Sequence, residues 1–209
     1  MSLTTVLLDL GGVLTPDPWQ ALLLAPGRGL VDRLGLDRAA VVAAADELWQ
    51  YHARHRTTEE DWWAGLAARA GRPIPPAAVD RAERELLGLL PGARDALDAL
   101  AGAGVPWGLV TNTTDFWYAR QRALLGLAPG EPAWAFVSSV EGCEKGDRPG
   151  LFERAARVVD PAATLVVDDR PDNLARAAEV GFGTERHPGV PGVPLLATLR
   201  RRVPALRAG

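Results

Sequence analysis

The chain of 209 residues has one cysteine and one lysine, no excess of basic residues, and no apolar run long enough to span a bilayer. Each scarcity excludes something. Cys143 alone cannot close an internal disulfide, which fits a reducing compartment. Lys and Arg together number 23 against 26 Asp and Glu, a formal charge of -3 that argues against a dedicated nucleic-acid binder. The chain opens with neither the basic segment nor the apolar stretch of a secretory leader, and ordered structure is expected from Thr4 or Thr5. A soluble cytoplasmic protein is expected, monomer or homodimer, with neither nucleic acid nor membrane as partner. The scarcity of lysine is of another kind. Arginine replaces it everywhere except at Lys145, so that exception is read by where it falls.

What is present is core material, with 47% of residues hydrophobic, enough for one α/β domain of ordinary size with a small insertion. Short apolar runs ending in polar or small residues read as buried parallel strands over Thr5–Leu10, Pro106–Thr111, Ala135–Ser139 and Thr164–Asp168, with a weaker fifth near Phe182–Glu185. Helical patterns separate the later strands, over Gly92–Ala101, Asp115–Leu125, Leu151–Val158 and Pro171–Val180, the last closed by Gly181 as a natural C′ residue. This alternation predicts an α/β fold with a doubly wound parallel sheet.

Residues 15–90 break the rhythm. They hold helical patterns over Asp37–His55, over Thr58–Ala70 with Thr58 and Asp61 at capping-box spacing, and over Ala77–Leu87 behind two prolines. Seventy-odd residues are too many for a crossover. They predict an inserted helical domain, 15–90, against an α/β core of 1–14 plus 91–209. Trp49, Tyr51, His52, His55, Trp62 and Trp63 read as packing within it, because two histidines three apart without a further ligand make a poor metal site. From His187 the chain is Pro/Gly-rich, and a short basic helix is expected to close it.

The strand tips carry the chemistry. Asp9 ends the first, Thr111 and Asn112 the second, and Asp168 and Asp169 the fourth, while Lys145 follows the third after Ser138 and Ser139. Ligands of open parallel sheets bind outside the carboxyl ends of the strands, so these residues should converge. Carboxylates hold Mg²⁺, lysine and threonine bind phosphate oxygens, and one carboxylate is left to act as nucleophile. Taken singly, Asp9 reads as a cap or loop residue, Asp168-Asp169 as a helix-capping turn, Thr111 as a strand-end threonine and Lys145 as a surface lysine. On the residues alone both readings stand, and the motif context that follows decides for a site.

From Val6 to Gly183 the chain resembles the haloacid dehalogenase-like hydrolase superfamily, in its subgroup with a helical cap inserted after the first motif (subfamily IA-type, helical C1 cap). DLGGVL looks like motif I, PGARDALDALAGAGVPWGLVTNT leads to motif II, EKGDRPGLF holds the motif III lysine, and VVDDRPDNLARAAEVG looks like motif IV. The resemblance implies a Mg²⁺-dependent phosphatase of a small phosphorylated metabolite working through an aspartyl phosphate. Asp9 would be nucleophile and metal ligand, Asp169 a direct metal ligand, and Asp168 either a ligand or the group that orients a metal-bound water, with Gly11 lending its carbonyl. Thr111, Asn112 and Lys145 would hold the phosphate, and Asn173 would brace the motif IV loop. Trp19, in the hinge to the cap, would line the substrate entrance.

Two departures stand out. Arg148 makes the motif III loop one residue longer than usual, which would shift Lys145 or let Arg148 share its work. The resemblance also implies a second aspartate two residues after the nucleophile, to protonate the leaving group and activate water, and here that residue is Gly11. Loss of a general acid/base costs about 10²- to 10⁴-fold in rate. Gly11 therefore keeps two alternatives open: a metal-independent 2-haloacid dehalogenase, and a weak or inactive binding protein on the same fold.

Overall fold

The structure is a computed structural model and describes residues 3–127, 130–189 and 193–207. Five parallel strands form one sheet: β1 (Thr5–Leu8), β2 (Trp107–Thr111), β3 (Trp134–Val137), β4 (Thr164–Asp168) and β5 (Gly183–Arg186). Their order is β3-β2-β1-β4-β5. Val6 pairs with Trp107 on one side of β1 and with Leu165 on the other. The order reverses at β1, since β2 and β3 lie to one side and β4 and β5 to the other. Loops leaving the tips of β1 and β4 diverge there and open a crevice.

Side-chain alternation builds two cores from one sheet. Val6, Leu8, Leu109, Leu165 and Val167 face helices α6 (Ala93–Gly102) and α11 (Leu195–Arg202). Leu7, Val110, Phe136 and Val166 face the other way, toward α9 (Leu151–Ala155) and α10 (Pro171–Val180). The sheet is covered on both faces, so the short runs that looked continuously apolar are the strands of a buried parallel sheet. The observed strands differ from the expected ones at their ends. The first stops at Leu8, although the Asp9 amide still donates to the Val167 carbonyl at 3.0 Å. The third ends at Val137, because Ser138–Glu141 turn into a short helix, α8. Leu151–Val158 shortens to the five residues of α9. The closing basic helix is α11, while residues 190–192 of the Pro/Gly-rich stretch before it lie outside the described residues.

Between β1 and α6 the described chain is helical: α1 (Pro18–Leu24), α2 (Leu30–Leu34), α3 (Arg38–His52), α4 (Glu59–Ala70) and α5 (Pro76–Leu86). The expected caps are in place. Asp37 accepts from the Ala40 amide at 2.7 Å, and Thr58 and Asp61 close a reciprocal capping box. Helices α1 and α2 escaped the sequence reading because each is shorter than two turns or nearly so, too brief for an apolar stripe to repeat. Their signals are local: Asp17 caps α1 with Pro18 at its first position, and Gly35 ends α2 in the left-handed conformation.

These helices share their own core, with Leu22, Leu23, Leu30, Trp62, Leu66 and Val79 at its centre. Trp117, on α7 (Asp115–Leu125) after β2, is wholly buried in it, stacked on Trp49 at 6.1 Å and edge-on to Trp62 at 4.9 Å. Arg120, one turn further along α7, pairs with Glu59 at 2.6 Å and Glu83 at 2.5 Å. The two strands of chain that join the units are tied as well, through the Leu90 amide to the Leu14 carbonyl at 2.9 Å. His52 and His55 turn to Thr57 and the Tyr51 carbonyl and pack on aromatic neighbours. Trp117→Ala removes a wholly buried side chain that joins α7 to the core of these helices. The expected loss is about 3–5 kcal/mol in chemical denaturation, and a loss below about 1 kcal/mol would contradict this packing.

Candidate active site

Lysine 145 is the centre of the crevice. It is wholly buried, and its Nζ lies 2.6 Å from Asp168 Oδ2 and 2.9 Å from Asp9 Oδ1. Three separate elements deliver these groups: the tip of β1, the tip of β4, and the loop after α8. That loop is held by Asn112, whose Oδ1 accepts the Lys145 amide at 3.0 Å, and by Asp147, which accepts the Glu144 amide at 2.8 Å. Arg54, just past α3, reaches across from the helical unit to Glu144 at 2.5 Å and Asp147 at 3.0 Å. Arg148 points elsewhere, to Glu179 on the surface at 2.7 Å, and does not share the work of Lys145.

The carboxylates have unlike surroundings. Asp168 is saturated: Oδ1 accepts the Arg170 amide and Asn173, and Oδ2 accepts Lys145 and Asn173. Burial opposes its charge, but Lys145 and these donors outweigh it and hold Asp168 below the usual carboxylate range. Asp9 accepts the Leu10 amide at 2.7 Å and Lys145, both on Oδ1, so Oδ2 takes neither. Burial and the neighbouring Asp168 charge push Asp9 up to about 7 in spite of Lys145. Asp169 is raised by burial and then by Asp168. Burial also works against a charged Lys145, yet Asp168 and Asp9 together keep it raised and cationic.

Oxygens of Asp9, Asp168 and Asp169 lie within 4.8 Å of one another, the one such acidic group among the described residues. With Asp168 engaged by four hydrogen bonds, Asp9 and Asp169 have the capacity left for a cation. Gly12 secures the second of them. At φ 75° it takes a conformation that side chains avoid, and a Cβ there would lie 2.7 Å from the Asp169 carboxyl carbon. The motif needs glycine at 12 for space. Gly11 needs none, since its Cβ would meet nothing nearer than 3.5 Å.

A cavity of about 590 Å³ opens over these groups. Its floor is Asp9, Gly11, Asn112, Lys145, Asp169 and Asn173, and its far wall is Asp46, Trp49 and Gln50 of α3, with Asp17, Trp19 and Gln20 at the hinge. Four carboxylates, of Asp9, Asp17, Asp46 and Asp169, face only Lys145 and Arg170. An anion enters such a space only if a cation neutralises part of the charge. The Thr111 hydroxyl, at the tip of β2, is buried and leans toward Asp9 without reaching hydrogen-bond geometry, so it has no partner of its own. A buried hydroxyl without a partner is costly and suits a ligand oxygen.

The model of haloacid dehalogenase-like hydrolases matches residues 3–181. The chain belongs to this family. No curated protein sequence matches it closely enough to count as a relative. Solved structures share its fold. A predicted hydrolase of the family from Porphyromonas gingivalis is similar at 21% identity and a TM-score of 0.66, over 96% of this chain and 99% of that one. A family enzyme from Bacteroides thetaiotaomicron, complexed with magnesium and inorganic phosphate, is similar at 18% identity and 0.60, over 88% and 94%. The L-2-haloacid dehalogenase of Xanthobacter autotrophicus, with chloropropionic acid covalently bound, is similar at 19% identity and 0.62, over 95% and 82%. At these identities the likeness is one of fold.

Within this hydrolase, Asp9, Thr111, Lys145, Asp168 and Asp169 meet at one sheet edge, and Trp19 borders their cavity while anchoring α1 in the helical core. Asn112 spends its Oδ1 on the lysine loop, and Asn173 braces Asp168. Cys143 is buried beside Arg154 Nε at 3.4 Å, away from the cavity. Asp17 was the residue the sequence did not mark. Burial, with Asp169 nearby, pushes it up to about 6. Among the described residues no helix is long and apolar enough to cross a membrane.

Lys145→Ala would leave Asp9 and Asp168 facing each other unpaired, at an expected cost of about 3–5 kcal/mol. Both carboxylates are easier to bury when protonated. The loss should thus be greatest near pH 8 and shrink toward pH 5, and denaturant melts showing the opposite trend would refute the buried pairing.

Proposed function

We propose that this hydrolase is a Mg²⁺-dependent phosphatase of a small phosphorylated metabolite, with Asp9 as the nucleophile. The observation that carries the reading is the acidic group of Asp9, Asp168 and Asp169 at a cavity lined by four carboxyl groups and only two basic side chains, a lining that favours a divalent ion before an anionic substrate. Asp9 and Asp169, with the carbonyl of Gly11, fit the hard oxygen donors that Mg²⁺ takes. The ion would supply charge neutralisation for the phosphoryl group. Asp9 attacks phosphorus and becomes an acyl phosphate, which water then hydrolyses. Lys145 sits beside the attacking carboxylate, so its ammonium holds Asp9 in place and offsets negative charge as it develops on the transferring group. Thr111 donates its free hydroxyl to a phosphate oxygen, and Asn112 and Trp19 border the bound substrate.

Residues 15–90 act as a cap on a core of 1–14 plus 91–209 in this reading. Helix α3 forms the far wall of the cavity, and Arg54 latches it to the lysine loop. Closure would exclude water from a reacting acyl phosphate. The cap residues that reach the cavity would choose the metabolite.

Dehalogenation is the second reading, favoured by the missing carboxylate at Gly11. A haloacid needs a fixed cation for its own carboxylate, and the helical unit lends the cavity only Asp17, Trp19, Gln20, Asp46, Trp49 and Gln50. None is basic. Phosphate release from sugar phosphates, nucleotides and p-nitrophenyl phosphate should require Mg²⁺ and be abolished by Asp9→Asn. Gly12→Ala, by displacing Asp169, should weaken Mg²⁺ dependence by at least tenfold, a 1.4 kcal/mol change. Silence on every ester at millimolar concentration, or chloride release from 2-chloropropionate without metal, would overturn the reading.

A further inference from the structure

We propose that Asp17 is the general acid and base of this site, doing from the hinge what Gly11 has no side chain to do. The inference rests on the phosphatase reading and adds a residue to it. An alkoxide is a poor leaving group, and its departure from phosphorus needs a proton. Asp9 is occupied by the attack, Asp168 by four hydrogen bonds, and Asp169 by its place in the acidic group. Two carboxyls of the cavity remain, Asp17 and Asp46.

Their placement separates them. Asp46 is exposed on α3, across the cavity from the strand tips. Asp17 lies in the same loop as Asp9 and is half-buried against Gly11. A Cβ on Gly11 would sit 3.5 Å from Asp17 Cα and 3.8 Å from Asp17 Oδ2, so the hinge carboxyl occupies the space into which a longer residue 11 would reach. The carboxyl is also oriented: Oδ1 accepts the Gln20 amide at 3.3 Å as the cap of α1, which leaves Oδ2 as the oxygen on the Gly11 side. A helix cap is a rigid mount, since the bond that orients the carboxyl also starts the helix.

The proton inventory closes over one cycle. As Asp9 attacks and the ester P–O bond breaks, the Asp17 carboxyl gives its proton to the departing oxygen, which leaves as an alcohol. The Asp17 carboxylate then takes a proton from the water that attacks the aspartyl phosphate. The P–O bond to Asp9 breaks, inorganic phosphate leaves, and both aspartates return to their starting states. The sum is ester plus water to alcohol plus phosphate.

The test compares wild type with Asp17→Asn, which keeps the helix cap because asparagine caps as well as aspartate, and with Asp46→Asn. Glycerol phosphate has a poor leaving group and p-nitrophenyl phosphate a good one. Asp17→Asn should lower kcat/KM for glycerol phosphate by about 10²- to 10⁴-fold and leave kcat/KM for p-nitrophenyl phosphate within a few-fold. Its p-nitrophenol release should show a burst, because the acyl phosphate still forms but is hydrolysed slowly. Mg²⁺ affinity by calorimetry should be unchanged, and Gly11→Asp in the Asp17→Asn background should restore part of the glycerol phosphate activity. Equal losses on both esters, weakened Mg²⁺ binding without the leaving-group split, or the split on Asp46→Asn would overturn the proposal with the phosphatase reading intact. An inactive wild type ends both. Should Asp17→Asn fail to fold, Asp17→Ser, which also caps, gives the same comparison.

Discussion

A single buried ammonium organises this molecule. Lys145 has no exposure to solvent and sits between two carboxylates from the tips of the adjacent strands β1 and β4. Removing such a charge from water costs several kcal/mol per ion, and the cost is met only by close, well-aligned partners. Much of the surrounding structure provides that alignment. Strands β1 and β4 pair in register so that Asp9 and Asp168 end side by side. Asn112 fixes the lysine backbone, and Asn173 with the Arg170 amide fixes Asp168. The arrangement leaves Asp9 in an uneasy position, close to a cation and yet pushed toward the neutral form. A group held against its preferred state is a common mark of a reacting centre.

The helices between β1 and α6 are held to the same frame by specific contacts. Trp117 seats them on α7, Arg120 and Arg54 pin them by ion pairs, and the Leu14–Leu90 hydrogen bond ties the connecting segments. Arg54 is informative because its partners, Glu144 and Asp147, flank Lys145 itself. The position of the helices and the position of the lysine loop are mechanically linked. Motion of one without the other would break a partly buried pair of charges.

The fold was legible in the sequence because buried parallel strands leave unmistakable marks: TVLL, WGLV and TLVV carry little polar interruption and end in the residues that matter. Lys145 was legible by its rarity, and Asp9, Thr111, Asp168 and Asp169 by their places at strand ends. Helices α1 and α2 were not, since periodicity needs length. Asp17 was missed along with α1. It caps α1, a helix too short for an apolar stripe to repeat, so neither the helix nor its cap stood out in TPDPW. That its other oxygen turns toward the empty side of Gly11 is a fact of three dimensions, decided by how the chain bends at the hinge. Arg148 was over-read in the opposite sense: an extra basic residue beside a site residue in sequence is directed to Glu179 in space.

In the proposed cycle Asp9 carries the phosphoryl group between substrate and water. Mixing the protein with Mg²⁺ and a phosphate ester in isotopically labelled water, quenching in acid during turnover and mapping peptides by mass spectrometry tests that passage. The account predicts one phosphoryl group on Asp9 in the quenched enzyme, with labelled oxygen in the released phosphate and none in the Asp9 carboxylate after turnover. Labelled oxygen in that carboxylate would mean that water attacks its carbon, as after displacement at a carbon–halogen bond. That result, or ester consumption with no phosphoryl group on Asp9 at any quench time, would contradict the account.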